Sequence, residues 1–288
     1  MNHIIIPVAF LLLLLVSCES GTQPATQPKM PAPEKEYTIT DFTDTLAKQD
    51  KRAPGTIENA LQLYNTLIPL DSTVADSAAS ALMQFIHSVV SAKNDSLFNS
   101  PGYQDLLPNP AAGNLTEQQK AVYSALHANH LKLVQDGEGG MYFVPLFEMI
   151  LPGIKDKTSA PVDAFLDLKA KEDTTPTLLD AGLAIETEDL ADRLATSEQL
   201  QGQQLPDYFK TEATNLIRFY TRAFILGSDN SPSLNRETFL LSDQFKNGYT
   251  YLLAKYPSTK AAAMVKEWMA VVASGDKKKV DEFKNAFN

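Results

Sequence analysis

The sequence predicts an all-α fold of about ten helices for residues 37–288. From Tyr37 onward the composition is rich in Ala, Leu, Lys, Gln and Glu, and runs of alternating β-branched residues are absent. Several segments also combine a helical period of apolar side chains with residues typical of helix ends. Because the connections between these segments are short, we expect an antiparallel bundle or stacked helical hairpins.

An apolar run fills most of residues 1–17. It is about a dozen residues long, which is too short for the ~20 residues of a membrane-spanning helix but typical of a signal-peptide core. The run closes on Leu15-Val16-Ser17-Cys18, which resembles the lipobox of bacterial lipoproteins. This resemblance implies that residues 1–17 are a removed signal peptide and that Cys18, the single cysteine, carries fatty acids such as palmitate.

Residues 18–36 are a predicted tether. They contain four prolines among Gln, Thr, Ser and Gly, and few apolar side chains. Such a stretch buries too little surface to offset its ordering entropy, so we expect a solvated spacer. Fatty chains on Cys18 would then hold the protein at a membrane, since each buried methylene contributes ~0.8 kcal/mol. The sequence therefore predicts a cell-envelope location, with the outer membrane favoured and the leaflet left open.

The first half of the domain contains helices with and without clear end signals. Apolar periods predict helices over 57–68 and 74–90. Thr116-Glu117-Gln118-Gln119 is a capping-box pattern and predicts a helix that runs to about Gln135. The segment Met141–Leu151 is the most apolar of the domain, and if it is a helix that starts at Pro145, we expect it to be buried on most sides.

The second half shows the clearest helical stripe. Apolar residues recur at three- and four-residue steps from Asp207 to Leu226, and Gly227 stands where a left-handed C-terminal cap is expected. The same criteria predict six other helices in this half, over 162–171, 178–184, 188–200, 232–257, 258–275 and 276–288.

Two helix junctions resemble each other. Tyr64–Asp71 with the following Ser72-Thr73 parallels Tyr251–Pro257 with the following Ser258-Thr259. Both are similar to the Tyr-Pro-Ser turn between helical hairpins in tetratricopeptide-type envelope lipoproteins. The resemblance ends at the junctions, because positions counted back from Pro257 lack the small and aromatic residues of that repeat. A bundle remains the first expectation and stacked hairpins the alternative.

Three residues are candidates for catalysis. Glu148 is the only charged residue of Met141–Leu151, and a carboxylate buried there would have a raised pKa, as a general acid requires. His127 and His130 lie three apart on the capped helix and would be its partners. The alternatives are that Glu148 faces solvent and that His130 is a core residue on an apolar face. With no third His or Cys nearby, we expect no metal and no cofactor.

Aromatic and charged residues suggest further contacts. Trp268, Tyr249 and Tyr256 near one junction are candidates for ligand stacking. Arg222 lies opposite the apolar stripe and is expected to be solvated, whereas Lys277–Lys279 are expected to complement acidic neighbours. The formal net charge is −10, and a nucleic-acid partner is not expected because neutralising phosphates needs a basic surface.

The expected function rests on three features of the sequence: a predicted lipid anchor, a predicted helical domain, and the lack of a recognisable set of catalytic residues. We expect a lipid-anchored envelope protein that binds or scaffolds another envelope protein, and not an enzyme. The alternative is a periplasmic or surface hydrolase with Glu148 as general acid. A small-ligand or carbohydrate binder is a third possibility, with Trp268 as the stacking surface.

Overall fold

The computed structural model describes residues 38–68, 74–97, 115–135, 140–235 and 237–287. The helices are α1 (Ile39–Ala47), α2 (Thr56–Leu67), α3 (Ala75–Leu97), α4 (Glu117–Ala128), α5 (Phe147–Ile150), α6 (Ala160–Thr174), α7 (Thr187–Gln201), α8 (Asp207–Leu226), α9 (Asp243–Lys255), α10 (Lys260–Ala273) and α11 (Lys277–Asn285). The strands are β1 (Leu131–Gln135), β2 (Met141–Pro145), β3 (Leu178–Leu179) and β4 (Gly182–Leu183). The predicted all-α class is confirmed, while the predicted signal peptide, Cys18 and tether lie outside the described residues.

The helices of the N-terminal part pack on α3. Both α1 and α2 contact α3, and the Phe42 and Tyr64 rings meet edge to face with centroids 6.0 Å apart. Asn94 of α3 also pairs with the backbone of β2: its Nδ2 donates to Phe143 O (3.0 Å), and its Oδ1 accepts from Phe143 N (2.7 Å). These two bonds satisfy the backbone N–H and C=O of Phe143 and join β2 to α3.

The C-terminal part is organised around α7, which packs against α8 and α9. Gly248 of α9 lies so close to α7 that a Cβ atom there would be 2.4 Å from Thr187 Cβ. Phe224, Phe245 and Tyr249 fill the space beside this crossing with edge-to-face ring contacts. Buried residues from both parts of the chain form one continuous core.

Most predicted helices are present, with ends that differ by a few residues. The predicted stripe of α8 is confirmed, because its apolar residues face the core, namely Phe209, Ala213, Leu216, Tyr220 and Phe224. Helix α1 is an addition to the predicted elements, and Thr38 and Asp41 form a reciprocal capping box at its start. None of the described helices combines the length and the apolar content that crossing a bilayer requires.

The prediction of one helix from Thr116 to about Gln135 is wrong at its end. The helix stops at Ala128, His130 adopts a left-handed φ of 55°, and β1 follows. The reason is a change of period: Leu131 and Leu133 are buried while Lys132 and Val134 face outward, as in a strand. In the segment Met141–Leu151, β2 ends at Pro145, and the helix considered from that residue begins two residues later as the short α5 (Phe147–Ile150).

Two other predicted helices are replaced or shortened. Residues 178–184, predicted as a helix, contain the β3–β4 hairpin, in which Leu178 pairs with Leu183 and Leu179 with Gly182. The helix predicted from Pro232 begins only at Asp243. The residues before it form isolated bridges between Gly227 and Pro232 and between Leu234 and Leu241, which hold the chain in an extended loop.

The two junctions compared in the sequence have different outcomes. Residues 69–73 of the first lie outside the described part of the chain. At the second, α9 ends at Lys255 and α10 begins at Lys260, and the capping residue is Thr259, whose side chain accepts a hydrogen bond from Ala262 N. Tyr256 ties this junction to α7, since its hydroxyl donates to Asp192 Oδ1 at 2.8 Å.

Candidate functional site

The β3–β4 hairpin is a tight turn that a neighbouring loop holds in place. Its two turn residues, Asp180 and Ala181, both have positive φ (47° and 54°), as a two-residue type I′ turn requires. Asn230 Nδ2 donates to Asp180 O (2.7 Å), Asn230 N donates to Ala181 O (2.9 Å), and Ser231 Oγ accepts from Leu183 N (3.0 Å). The hairpin and loop 227–242 therefore form one unit.

Loop 227–242 is itself ordered by local hydrogen bonds. Asn235 Oδ1 accepts from the backbone of Glu237 and Thr238, both at 2.9 Å, and Asn235 N donates to Leu240 O at 2.8 Å. This arrangement holds Phe239 at a φ of 58° with 39% of its surface exposed. A bulky residue in the left-handed region is strained, and such strain is concentrated at functional sites.

A groove of about 720 Å³ lies between α8, loop 227–242 and α11, with the hairpin at one end. We call it the basic groove, because three cations of the described part of the chain line it: Arg222 of α8 and Lys277 and Lys284 of α11. The rings of Phe219 and Phe239 form apolar parts of its wall. Arg222 is thus exposed, as the sequence predicts, but it lies in a groove and not on an open helix face.

A second groove of about 670 Å³ lies on the other side of the hairpin, and we call it the hairpin groove. Its walls are the outward face of the β1–β2 sheet, the end of α6 and the hairpin itself. Tyr142 and Val144 of β2 stand opposite Val134 and Lys132 of β1 on this outward face. The two grooves share Leu178 and Ala181, so they are neighbours.

The hairpin groove has an ion pair at its side. Lys132 Nζ lies 2.7 Å from Asp173 Oδ1, and the Asp173 side chain is only 8% exposed. The second carboxylate oxygen of Asp173 is buried and has no hydrogen-bond partner among the described residues. Lys132 also donates to Asp173 O at 2.7 Å, so the strand and the end of α6 are joined at this point.

The large apolar side chains that are exposed are concentrated at these grooves. Among the described residues they are Tyr142, Leu179, Phe219, Phe239 and Leu240. Four of them line one of the grooves, and Leu240 follows Phe239 in the loop. Leu179 and Leu240 are the most exposed, at 65% and 63%. We call these five residues the apolar patch.

The three candidate catalytic residues differ in burial. Glu148 is exposed, and neither Glu148 nor a histidine is among the described residues that line the two grooves. His127 is exposed at the end of α4, while His130 is buried after it. Within the described ranges, no three His, Cys, Asp or Glu side chains converge to hold a metal ion.

His130 is a buried residue of the core, which is the alternative to a catalytic role that the sequence leaves open. It is 6% exposed, its Nε2 lies 3.0 Å from Glu58 Oε2, and its Nδ1 has no hydrogen-bond partner in the described part of the chain. Burial lowers the pKa of His130 below its ordinary value of 6.5, and the Glu58 carboxylate opposes this change. Burial prevails because Glu58 is 42% exposed and its charge is screened by water.

The lowered pKa of His130 predicts acid sensitivity. The imidazole of residue 130 is protonated at a higher pH in the unfolded chain than in the folded chain. Its neutral form therefore stabilises the folded state fully above about pH 6.5, and this contribution is lost as the pH falls through the folded pKa. We expect the free energy of unfolding to fall as the pH decreases below about 6.5, and to fall less in His130→Asn, which lacks the imidazole. Asn is chosen because it tolerates the left-handed φ at this position. Denaturant titrations measure this. His87→Asn, at an exposed site, is the control, and equal pH slopes for the two variants would contradict the assignment.

The aromatic residues proposed for ligand stacking are mostly in the core. Trp268 and Tyr249 are both 0% exposed. Trp268 stacks on Phe283 with centroids 5.0 Å apart, and the Tyr249 hydroxyl donates to Ile225 O at 2.9 Å. Both rings are enclosed by the protein, so the structure does not support stacking at these two positions. Tyr256 is half-buried and hydrogen-bonded to Asp192.

The sequence does not indicate the apolar patch. Its members come from β2, the β3–β4 hairpin, α8 and loop 227–242, and an exposed leucine looks the same in a sequence as a buried one. The one local signal is the apolar pair Phe239-Leu240, which lies inside the helix predicted over 232–257 and in fact belongs to the loop before α9.

Comparison of the chain with protein-family models, curated proteins and solved structures finds no match.

Proposed function

We propose that this chain is a lipid-anchored protein of the bacterial cell envelope whose helical domain binds another envelope protein through the apolar patch. The anchor rests on the lipobox resemblance at Leu15–Cys18, and the binding role rests on the surface around the hairpin. The observation that carries the binding role is that four of the five large exposed apolar side chains of the described residues line two adjoining grooves, and the fifth follows one of them in the chain.

The grouping of exposed apolar side chains is stronger evidence for a binding site than the exposure of any single one. Single exposed leucines or phenylalanines are common on soluble domains, whereas contiguous apolar surface beside polar groups is typical of interaction sites. Transfer of a leucine side chain from water into an interface contributes about 1.5–3 kcal/mol, so Leu179 and Leu240 have the largest apolar area to offer a partner. The hairpin that carries Leu179 is hydrogen-bonded to loop 227–242, which reduces the ordering entropy lost on binding.

The binding proposal is tested with the double variant Leu179→Asp, Leu240→Asp. We expect the partner recovered by crosslinking and purification of the tagged full chain to decrease by about tenfold or more, because each substitution puts a charge into the apolar contact. Since both side chains are exposed, the melting temperature should stay close to that of the unchanged chain. Ala128→Asp with Ala263→Asp, at exposed helical positions, adds the same charge elsewhere and should retain the partner. Equal recovery from both double variants would refute the role of the patch.

The anchor is tested separately with a fatty-acid probe. The full chain should incorporate the probe in cells and fractionate with membranes. Cys18→Ala should lose both properties, because Cys18 is the only thiol in the chain. Labelling that persists in Cys18→Ala would refute the anchor and leave the proposed binding surface untouched.

A further inference from the structure

Positive charge is concentrated in the basic groove although the chain is acidic. The whole sequence has 25 basic and 35 acidic residues. Among the described residues, the groove is instead lined by three cations, Arg222, Lys277 and Lys284, and two carboxylates, Asp229 and Asp281. A local reversal of the overall sign attracts an oppositely charged partner and is screened by salt.

The three cations form no ion pair in the part of the chain that the structure describes. Other lysines of α11 do form ion pairs: Lys278 pairs with Glu282, and Lys279 pairs with Asp276. Arg222 Nη1 donates to Phe287 O at 3.4 Å, and Lys277 Nζ lies 5.6 Å from the centre of the Phe239 ring. The cations of the groove are therefore available to anions from outside.

Helix geometry sets the spacing between two of these cations. Lys277 and Lys284 are seven residues apart in α11, which places them on one face about 10 Å apart at 1.5 Å per residue. An extended peptide spans that distance with about three residues at 3.3 Å each. Phe219 and Phe239 line the same groove and are 37% and 39% exposed, so apolar side chains from a ligand have rings to contact.

We propose that the basic groove binds an acidic peptide segment of the partner protein, in which carboxylates alternate with bulky apolar residues. The carboxylates meet Arg222, Lys277 and Lys284, and the apolar residues pack on Phe219 and Phe239. This proposal rests on the proposed binding function, because it names the chemistry of the partner at the same surface. Charge complementarity commits the groove to an acidic segment, since a basic or purely apolar one would leave three cations unpaired.

Selection from a random library of short linear peptides displayed on phage tests this chemistry, with the purified full chain in detergent as bait. We expect enriched peptides to combine Asp or Glu with Phe, Leu or Trp. The affinity of an enriched synthetic peptide should fall by about tenfold or more in the triple variant Arg222→Glu, Lys277→Glu, Lys284→Glu, and it should fall with added salt. The control is a second triple variant with the same change of charge at exposed sites outside the groove, namely Lys48→Glu, Lys210→Glu, Lys266→Glu. This control should leave the affinity for the peptide unaltered.

Four outcomes would overturn the proposal. Enriched peptides without acidic residues would do so, and so would equal binding by the two triple variants. Binding of phosphatidylglycerol vesicles through the same three cations, with no peptide enriched, would instead assign the groove to anionic lipid. If the groove variant still recovers the envelope partner while Leu179→Asp, Leu240→Asp does not, the acidic-segment inference fails and the proposed function stands.

Discussion

Replacing Arg193 with methionine is expected to lower the free energy of unfolding by about 3–5 kcal/mol. Arg193 is 7% exposed, and its Nη1 donates to Glu172 Oε2 at 2.6 Å. Its Nη2 donates to Thr175 O at 2.7 Å. Removing the guanidinium leaves the Glu172 carboxylate and a backbone carbonyl without these donors, and the loss of a partner from a buried pair is strongly destabilising.

Glu172 connects this pair to the hairpin groove. Its carboxylate also accepts hydrogen bonds from Thr177 N (2.7 Å), Thr177 Oγ1 (2.8 Å) and the Tyr220 hydroxyl (2.9 Å). Thr177 directly precedes the hairpin, and Tyr220 belongs to α8. Arg193→Met should therefore loosen the base of the hairpin as well as the helix packing.

Denaturant unfolding of the full chain measures the effect of Arg193→Met. The double variant Arg193→Met, Glu172→Gln should be more stable than Arg193→Met alone, because Gln still accepts from Thr177 N and carries no unpaired charge. Lys246→Met is the surface control, since it removes only the exposed pair with Asp243 at 2.8 Å, and we expect no measurable change. If Arg193→Met were as stable as the unchanged chain, the network would not hold α6, α7 and α8 together.

Gly227→Ala is expected to lower the free energy of unfolding by about 3 kcal/mol or more, because backbone strain and steric overlap add. Gly227 has φ 75° and ψ −155°, a region that essentially only glycine occupies, and not the left-handed cap that the sequence predicts. A Cβ atom there would lie 2.2 Å from Ser231 O and 2.6 Å from Ser233 N. Both atoms are backbone, so a side-chain rotation cannot relieve the overlap.

The matched control for this glycine is Gly275. Gly275 also has positive φ (66°), but a Cβ atom there would meet nothing within 4 Å among the described residues. Gly275→Ala should thus cost only about 1 kcal/mol, from left-handed strain alone. Thermal and denaturant unfolding compare the two variants, and equal effects would contradict the packing at Gly227. We also expect Gly227→Ala to weaken partner binding, because Asn230 and Ser231 support the hairpin from the same loop.

The helical elements could be predicted where one period persists over many residues. The stripe of α8 repeats from Phe209 to Phe224, and every member of it is buried. The capping box at Thr116 predicts the start of α4 correctly but not its end. The end depends on the alternation Leu131-Lys132-Leu133, and that strand is stabilised by pairing with β2. β2 in turn is bonded to Asn94 of α3, which is distant in sequence.

The candidate site could not be predicted because it depends on residues brought together by folding. Leu179 and Leu240 are far apart in the sequence, and hydrogen bonds join the hairpin that carries Leu179 to loop 227–242, which carries Leu240. Arg222 is exposed as the sequence predicts, but its neighbours Lys277 and Lys284 come from α11. Local pattern predicts exposure, and tertiary packing decides which exposed groups share a groove.

Site-specific photocrosslinking in cells tests the central claim most directly. A photoreactive phenylalanine analogue at Leu179 or Leu240 should give the same crosslinked envelope protein from both positions of the full chain. The same analogue at Gln62 or Asn65, exposed on α2, should give none. Crosslinks of equal yield from α2, or no protein crosslink from either patch position, would contradict a docking role for the apolar patch.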